Sequence, residues 1–284
     1  MMIGFKAGGG VDTQARLLAE DLIAREGWNI IPVNVAGKGG ATMMTALKDE
    51  PNDGLTFGIS VDETITYGSQ AARNAGYGLE DFTMLSTITG SQVGLFAKSG
   101  RGWNTLADVI AAAKSGQKIT VGAMTTKLAD ATYMIGKAAG VEFTTVMVKG
   151  GKGGLNGVLA DDLDLGWGGG VQTKAVRSGD LVQVVSGEVS SLKASPDAPL
   201  LSEYGVPFTF GAKFMVMAPA GLSDAARSAI ASAIAAAVND PTSKVHGFVS
   251  KFFSGPETMT GSELDSFMAK EYKDAEALLN ASAE

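Results

Sequence analysis

The sequence predicts an α/β protein of two lobes, each a largely parallel sheet flanked by helices, and three observations predict it. Short β-branched runs alternate with helical patterns along the chain. Glycines gather at the turns between them, 38 in 284 residues, against an average of roughly 7%. A hydrophobic content of 45% can fill one large core or two moderate ones.

The strand signals are Ile30–Val35, Leu55–Ser60, Lys118–Ala123, Thr144–Val148 and Leu181–Val185. Between them the helices are amphipathic. Ala15, Leu18, Ala19, Leu22 and Ile23 recur at helical spacing after Asp12 and leave Arg16, Glu20 and Arg25 on the wet face. Two further runs, Gln92–Lys98 and Ala212–Ala218, stand beside changes of organisation and read as two hinge strands. Lobe one is then 1–97 together with 211–284, and lobe two is 98–210. The C-terminal part reads as helix over Asp224–Val238 and again over Ser262–Leu279, which opens on a serine cap.

Composition removes several classes of function. No cysteine is present, which excludes disulfides, thiolate nucleophiles and cysteine-ligated metals. A net charge of −7 argues against nucleic acid as partner, which needs a basic stripe. No apolar run reaches the roughly 18 residues of a transmembrane helix. The chain starts at Met1-Met2-Ile3 without a charged-then-apolar leader, which leaves a cytoplasmic protein and an exported one with its leader removed both open.

The glycine clusters carry the functional signal. Lys6-Ala7-Gly8-Gly9-Gly10-Val11-Asp12-Thr13 lies between a short strand and the first strong helix. Glycines there let successive N–H groups converge, and the helix N-terminus adds about half a positive charge, so a carboxylate or phosphate fits. The plain alternative is a tight turn capped by Asp12 or Thr13. Ala36-Gly37-Lys38-Gly39-Gly40-Ala41 repeats the arrangement, and two such turns at the carboxyl ends of neighbouring parallel strands face one crevice. In lobe two, Met124-Thr125-Thr126-Lys127 offers hydroxyls that serve either as caps or as ligand contacts. Loops over Lys149–Gly154 and Trp167–Gly170 again follow strands.

Standard motifs fail. Neither Gly37-Lys38-Gly39 nor Gly151-Lys152-Gly153 extends to a dinucleotide fingerprint, and no Gly-Lys pair is followed by Ser or Thr. Asp161, Asp162 and Asp164 lack the spacing of a calcium loop and read as a solvated turn. The single histidine, His246, falls in a helical stretch and reads as structural. Asp62 and Glu63 could do acid–base chemistry, but neighbours at a strand end point apart. No catalytic residue, metal or cofactor is expected.

Together these residues resemble a family. Ala7-Gly8-Gly9-Gly10-Val11-Asp12, Asn34-Val35-Ala36-Gly37-Lys38-Gly39-Gly40 and Asn52-Asp53-Gly54-Leu55-Thr56 look like the opening of the solute receptors of tripartite tricarboxylate transporters, the Bug-type family. Tyr77-Gly78-Leu79-Glu80-Asp81-Phe82, Ser195-Pro196-Asp197-Ala198-Pro199, Glu203-Tyr204-Gly205 and Ala218-Pro219-Ala220-Gly221 continue the likeness over almost the whole chain.

The resemblance implies a periplasmic-binding-protein-like, Venus-flytrap receptor in the periplasm, closing on a small organic acid and passing it to the small and large membrane subunits of the transporter. It is expected to act as a monomer. Carried over by residue, Gly8, Gly9, Gly10, Val11 and Asp12 form the first wall, with Gly39, Gly40 and Ala41 beside it. Thr125, Thr126, Lys149, Gly150 and Gly168 close from lobe two. The acidic stretch Ser60-Val61-Asp62-Glu63 departs from the family's small neutral residues, which sets Asp62 near the ligand and leaves room for a ligand amino group. Two rivals stay open: a cytoplasmic α/β enzyme acting on a small anionic substrate through Asp12, Asp62 and Lys149, and a receptor feeding a sensor kinase.

Overall fold

The structure is a computed structural model that describes residues 1–283; Glu284, the expected end of lobe one, lies outside the described residues. The chain forms two compact units. One is Met1–Gly90 with the segment from Ala212 onward, and the other is Ser91–Gly211.

Unit one holds β1 (Met2–Ile3), α1 (Gly10–Glu26), β2 (Val33–Asn34), α2 (Ala41–Leu47), β3 (Gly58–Val61), α3 (Asp62–Ala71) and β4 (Phe82–Gly90). After the excursion it adds β10 (Lys213–Pro219), α8 (Asp224–Asn239), α9 (Lys244–Phe252) and α10 (Gly261–Ala283). Its sheet runs β2-β1-β3-β10-β4. β1, β2 and β3 are mutually parallel, and β10 is antiparallel to both β3 and β4.

Side chains alternate across this sheet as the pleat demands. Phe214, Val216 and Ala218 pack with α1, α8 and α9 residues such as Leu18, Ile234 and Val249. Met215 and Met217 point the other way, onto Met43, Met44, Ile65 and Met268 of α2, α3 and α10. The sheet is therefore covered on both faces, and only its two edges in the strand direction are left for loops.

Unit two holds β5 (Gly94–Lys98), α4 (Leu106–Lys114), β6 (Thr120–Ala123), α5 (Thr126–Ala139), β7 (Thr144–Met147), α6 (Gly150–Leu159), β8 (Leu165–Gly168), α7 (Thr173–Arg177) and β9 (Leu181–Ser186). Its sheet runs β7-β6-β8-β5-β9. β6 is parallel to β7 and β8, while β5 is antiparallel to β8 and β9. Phe96, Val158, Leu163 and Leu181 form part of the core. Trp167 is fully buried, and its indole N–H donates to Thr132 Oγ1 at 2.9 Å.

The sheets are largely parallel, as expected, with one antiparallel strand in each, and two expectations change. Neither supposed hinge strand is shared: β5 is hydrogen-bonded on both sides inside unit two, and β10 likewise inside unit one. The first division consequently falls at Gly90–Ser91, ahead of residue 97. Finally, Asp62 and Glu63 open a helix, and Lys149–Gly154 is the start of another, where a strand end and a loop were expected.

Candidate functional site

In unit one the segments after β1 and β2 leave the same edge of the sheet and meet the junction of β3 with α3. A Cβ on Gly4 would lie 3.2 Å from Ser60 Oγ and 3.5 Å from Gly40 Cα. One on Gly40, whose φ is +101°, would meet Ser60 Oγ and Thr64 Oγ1 at 2.9 Å each. Thr64 Oγ1 also donates to the Gly39 carbonyl at 2.9 Å. Gly40 is thus a packing requirement as much as a turn.

Asp12 builds the first loop. Its Oδ2 accepts the Gly8 N–H at 2.8 Å, and its Oδ1 accepts Arg16 Nε at 2.9 Å and Asn34 Nδ2 at 2.8 Å. The same Asn34 amide donates to the Phe5 carbonyl at 2.9 Å. Burial pushes the Asp12 carboxyl up, but the Gly8 amide, Asn34 and Arg16 outweigh it and hold the group below the usual carboxylate range. The carboxylate is committed to positioning the loop.

In unit two the loops after β6, β7 and β8 likewise converge. A Cβ on Gly151 would meet Val171 at 2.9 Å and Met124 Sδ at 3.5 Å, and one on Gly169 would meet Met124 Cε at 3.6 Å. Gly168 is buried, and a Cβ there would strike the Gln172 carboxamide and Phe96. Gln172 Nε2 donates to the carbonyls of Gln92 at 2.9 Å and Gly168 at 3.1 Å, and its Oε1 accepts the Gly170 N–H at 2.9 Å.

Helix starts differ in their capping, and the edge alone does not decide it, since α5 follows the parallel β6 and is capped by Thr125. α1 and α6 begin at these carboxyl edges, from Gly9 and Lys149, without a side-chain cap. α4 and α8 follow the antiparallel strands and so start at the opposite edges, where both are capped. Asp108 accepts the Thr105 N–H at 2.9 Å and Ser223 Oγ accepts the Ala226 N–H at 3.3 Å. α9 is capped as well, Ser243 Oγ accepting the His246 N–H at 3.2 Å. An uncapped first turn leaves main-chain N–H groups and the positive end of the dipole for an external anion.

The expected residues distribute accordingly. Gly8, with φ +76°, together with Gly9, Gly10 and the amides of Val11 and Asp12, forms the start of α1. Gly39, Gly40 and Ala41 lie at the start of α2 on the same edge. Lys149 and Gly150, with φ +74°, begin α6. Thr125 is a cap, its hydroxyl accepting the Leu128 N–H at 3.4 Å, and Thr126 is exposed.

Asp62 is only 2% exposed, and its Oδ1 accepts the Glu63 and Lys213 N–H groups at 2.8 and 2.9 Å. It anchors the start of β10. Ser60, Thr64, Met124, Val171 and Gln172 were not foreseen; only the Ser60/Thr64 spacing across a strand-to-helix turn could have signalled them.

No group of three or more His, Asp or Glu among the described residues is arranged to hold a metal. His246 Nδ1 sits 3.1 Å from the Val238 carbonyl, within unit one's helices. The turn is solvated at Asp161 and Asp162 and is also tied by ion pairs: Asp161 meets Lys98 and Arg101, and Asp164 meets Arg101.

Known proteins share this architecture. Rpa4515 of R. palustris, solved with adipate, superposes with a TM-score of 0.87 at 21% identity, over 99% of this chain and 96% of that one. The periplasmic binding protein BugD gives 0.87 at 21%, covering 100% and 96%. MatC of Rhodopseudomonas palustris, solved with bound malate, gives 0.83 at 20%, covering 98% and 97%. In sequence, the "UPF0065 protein in the TAR-I ttuE-ttuC' intergenic region" of Agrobacterium vitis is 23% identical over 246 residues, 85% of this chain and 71% of that protein. The family described as tripartite tricarboxylate transporter family receptor matches residues 14–283. With nearly its full length matched, the chain belongs to the tripartite tricarboxylate transporter family receptors.

Proposed function

We propose that this receptor works in the periplasm, capturing a small organic acid through main-chain donors and delivering it as a monomer to the small and large membrane subunits of its transporter, without chemistry on the ligand. The observation that carries the reading is the contrast in helix starts. α1 and α6 open uncapped on glycine-rich turns, whereas α4, α5, α8 and α9 have side-chain caps. Relatives solved with adipate and malate make a carboxylate the natural anion.

With a net charge of −7, the overall field repels an acid, so local donors have to supply the attraction. Hydrogen bonds from amides to a carboxylate contribute roughly 1.5–3 kcal/mol each, and the helix dipole about 0.3–1 kcal/mol more. Closure is driven by the contacts the acid makes only in the closed form.

The test is a thermal-shift series of mono-, di- and tricarboxylates and amino acids on protein shown to be ligand-free, repeated on Gly9→Asp. Gly9 has φ −79° and ψ 176°, an N-cap conformation open to any residue, and the nearest atom to an added Cβ is the Lys6 carbonyl at 3.3 Å. An aspartate there caps α1 itself. The melting temperature should hold or rise, while affinity for the best acid falls by about tenfold or more. A variant that binds acids as tightly as the parent defeats the reading, as does a parent that no carboxylate stabilises.

A further inference from the structure

In unit two one carboxylate holds the chain connection that enters and lies against the one that leaves. Glu188 follows β9, and its Oε1 accepts the Val93 N–H at 2.6 Å and the Ser91 hydroxyl at 2.8 Å. Ser91 and Val93 belong to the connection entering unit two. Gly211 belongs to the connection leaving it, and a Cβ on that residue would collide with the Glu188 carboxylate.

Other bonds hold the same segments. Gln92 N–H donates to the Gly169 carbonyl at 3.0 Å and Gly187 N–H to the Val93 carbonyl at 2.9 Å. Phe210 N–H donates to the Gly187 carbonyl at 2.7 Å, and the buried Lys127 ammonium donates to the Gly211 carbonyl at 3.1 Å.

Unit one grips the chain immediately on the other side of each junction. Gly90 N–H donates to Ser254 Oγ at 2.7 Å, and Ser254 N–H donates back to the Gly90 carbonyl at 3.2 Å. Lys213 N–H donates to Asp62 Oδ1 at 2.9 Å, and the Lys213 ammonium pairs with Glu257. On the first connection, the last residue fixed in unit one and the first fixed in unit two are neighbours in sequence. On the second, Gly211 and Lys213 are separated by a single residue.

We propose that movement between the units is absorbed at two joints, Gly90–Ser91 and Gly211–Ala212, and that Glu188 is the positioning residue that keeps both connections on unit two, so that neither strand end unravels as the protein opens. The inference rests on the reading of the chain as a two-lobe receptor. It assigns a purpose to Asp62 and Glu257 as well, as the anchors of Lys213 in unit one. Because Gln172 bridges Gln92 to the loop of Gly168 and Gly170, the entering connection and a glycine-rich loop of unit two are fixed in one frame.

Hydrogen–deuterium exchange on the acid-free protein tests this. In Glu188→Ala the Val93 amide should exchange about tenfold faster or more, and peptides spanning 91–93 and 209–212 should follow, while β6 and β8 stay protected. Glu188→Gln retains an acceptor oxygen and should keep most of the protection. Gly211→Ala pushes a methyl into the Glu188 carboxylate and should reproduce the Glu188→Ala pattern, with the double variant no faster than either single one. Unchanged exchange at Val93, loss of protection throughout the unit-two sheet, or additive effects in the double variant each overturn the assignment. No acid enters this experiment, so failure of the carboxylate series would defeat the receptor reading and leave the joints standing, and the reverse also holds.

Discussion

The starts of α1 and α6 both present uncapped amides after a parallel strand, yet they are held in different ways. The α1 loop is braced by charge: Asp12, buried to 3% exposure, ties Gly8, Arg16 and Asn34 to one carboxylate. The α6 loop follows β7, whose four residues are all exposed, and Gly151 packs sterically against Val171 and Met124. If these amides are the donors proposed above, those of unit one are fixed before any ligand arrives, which lowers the ordering cost of binding, whereas those of unit two are placed by packing.

Breaking the charged brace should have the largest effect. Asp12→Ala removes the acceptor of three hydrogen bonds, one of them to an arginine side chain that is 44% exposed, and should cost about 3 kcal/mol of stability together with most of the affinity for acids. Asp12→Asn adds a pH signature. The folded carboxyl titrates below its ordinary value, so its stabilisation is present above the unfolded pKa of about 4 and is lost as pH falls through the lower folded pKa. Denaturant unfolding from pH 7 down to 2 should show a flatter acid limb in Asp12→Asn than in the parent. Parallel curves would mean that the brace contributes no charge.

The corresponding lesion in unit two should be milder. Gly150 has φ +74°, and an added Cβ meets no atom within 4 Å. Gly150→Ala thus costs only backbone strain, about 1 kcal/mol. Titration calorimetry with the best acid should find affinity lowered by less than about tenfold, against the near-complete loss at Asp12. Equal losses at both positions would erase the distinction between an edge braced by charge and one placed by packing.

How much of this was legible in the sequence follows from which forces act locally. The α1 loop, α4 and α8 are written in periodicity and glycine spacing, so Gly8–Asp12 and Gly39–Ala41 could be read directly as the turns that open helices. The start of α6 could not. Four of its first five residues are glycine, and their low helix propensity is overridden by packing on β8 and the loops beside it. Asp62 was misplaced for the same kind of reason, since its partner Lys213 lies 151 positions away and no local pattern announces a bond that long. At Gly168 an added Cβ would strike the Gln172 side chain, a packing fact visible only in three dimensions.

The smallest effect expected on acid binding sharpens the comparison from inside α1. Gln14 is fully buried beside Val11, Ala15 and Leu18, and neither its Nε2 nor its Oε1 has a protein hydrogen-bond partner. A buried amide in that condition costs roughly 1–3 kcal/mol. Gln14→Leu should therefore raise the melting temperature by about 2–4 °C for each kcal/mol recovered in a unit of this size, with acid affinity unchanged. If affinity falls while stability rises, Gln14 belongs to the machinery that presents the α1 amides, and the brace on that edge extends one helical turn past Asp12. If neither changes, the amide is satisfied in solution by water, and the α1 edge owes its rigidity to the Asp12 carboxylate.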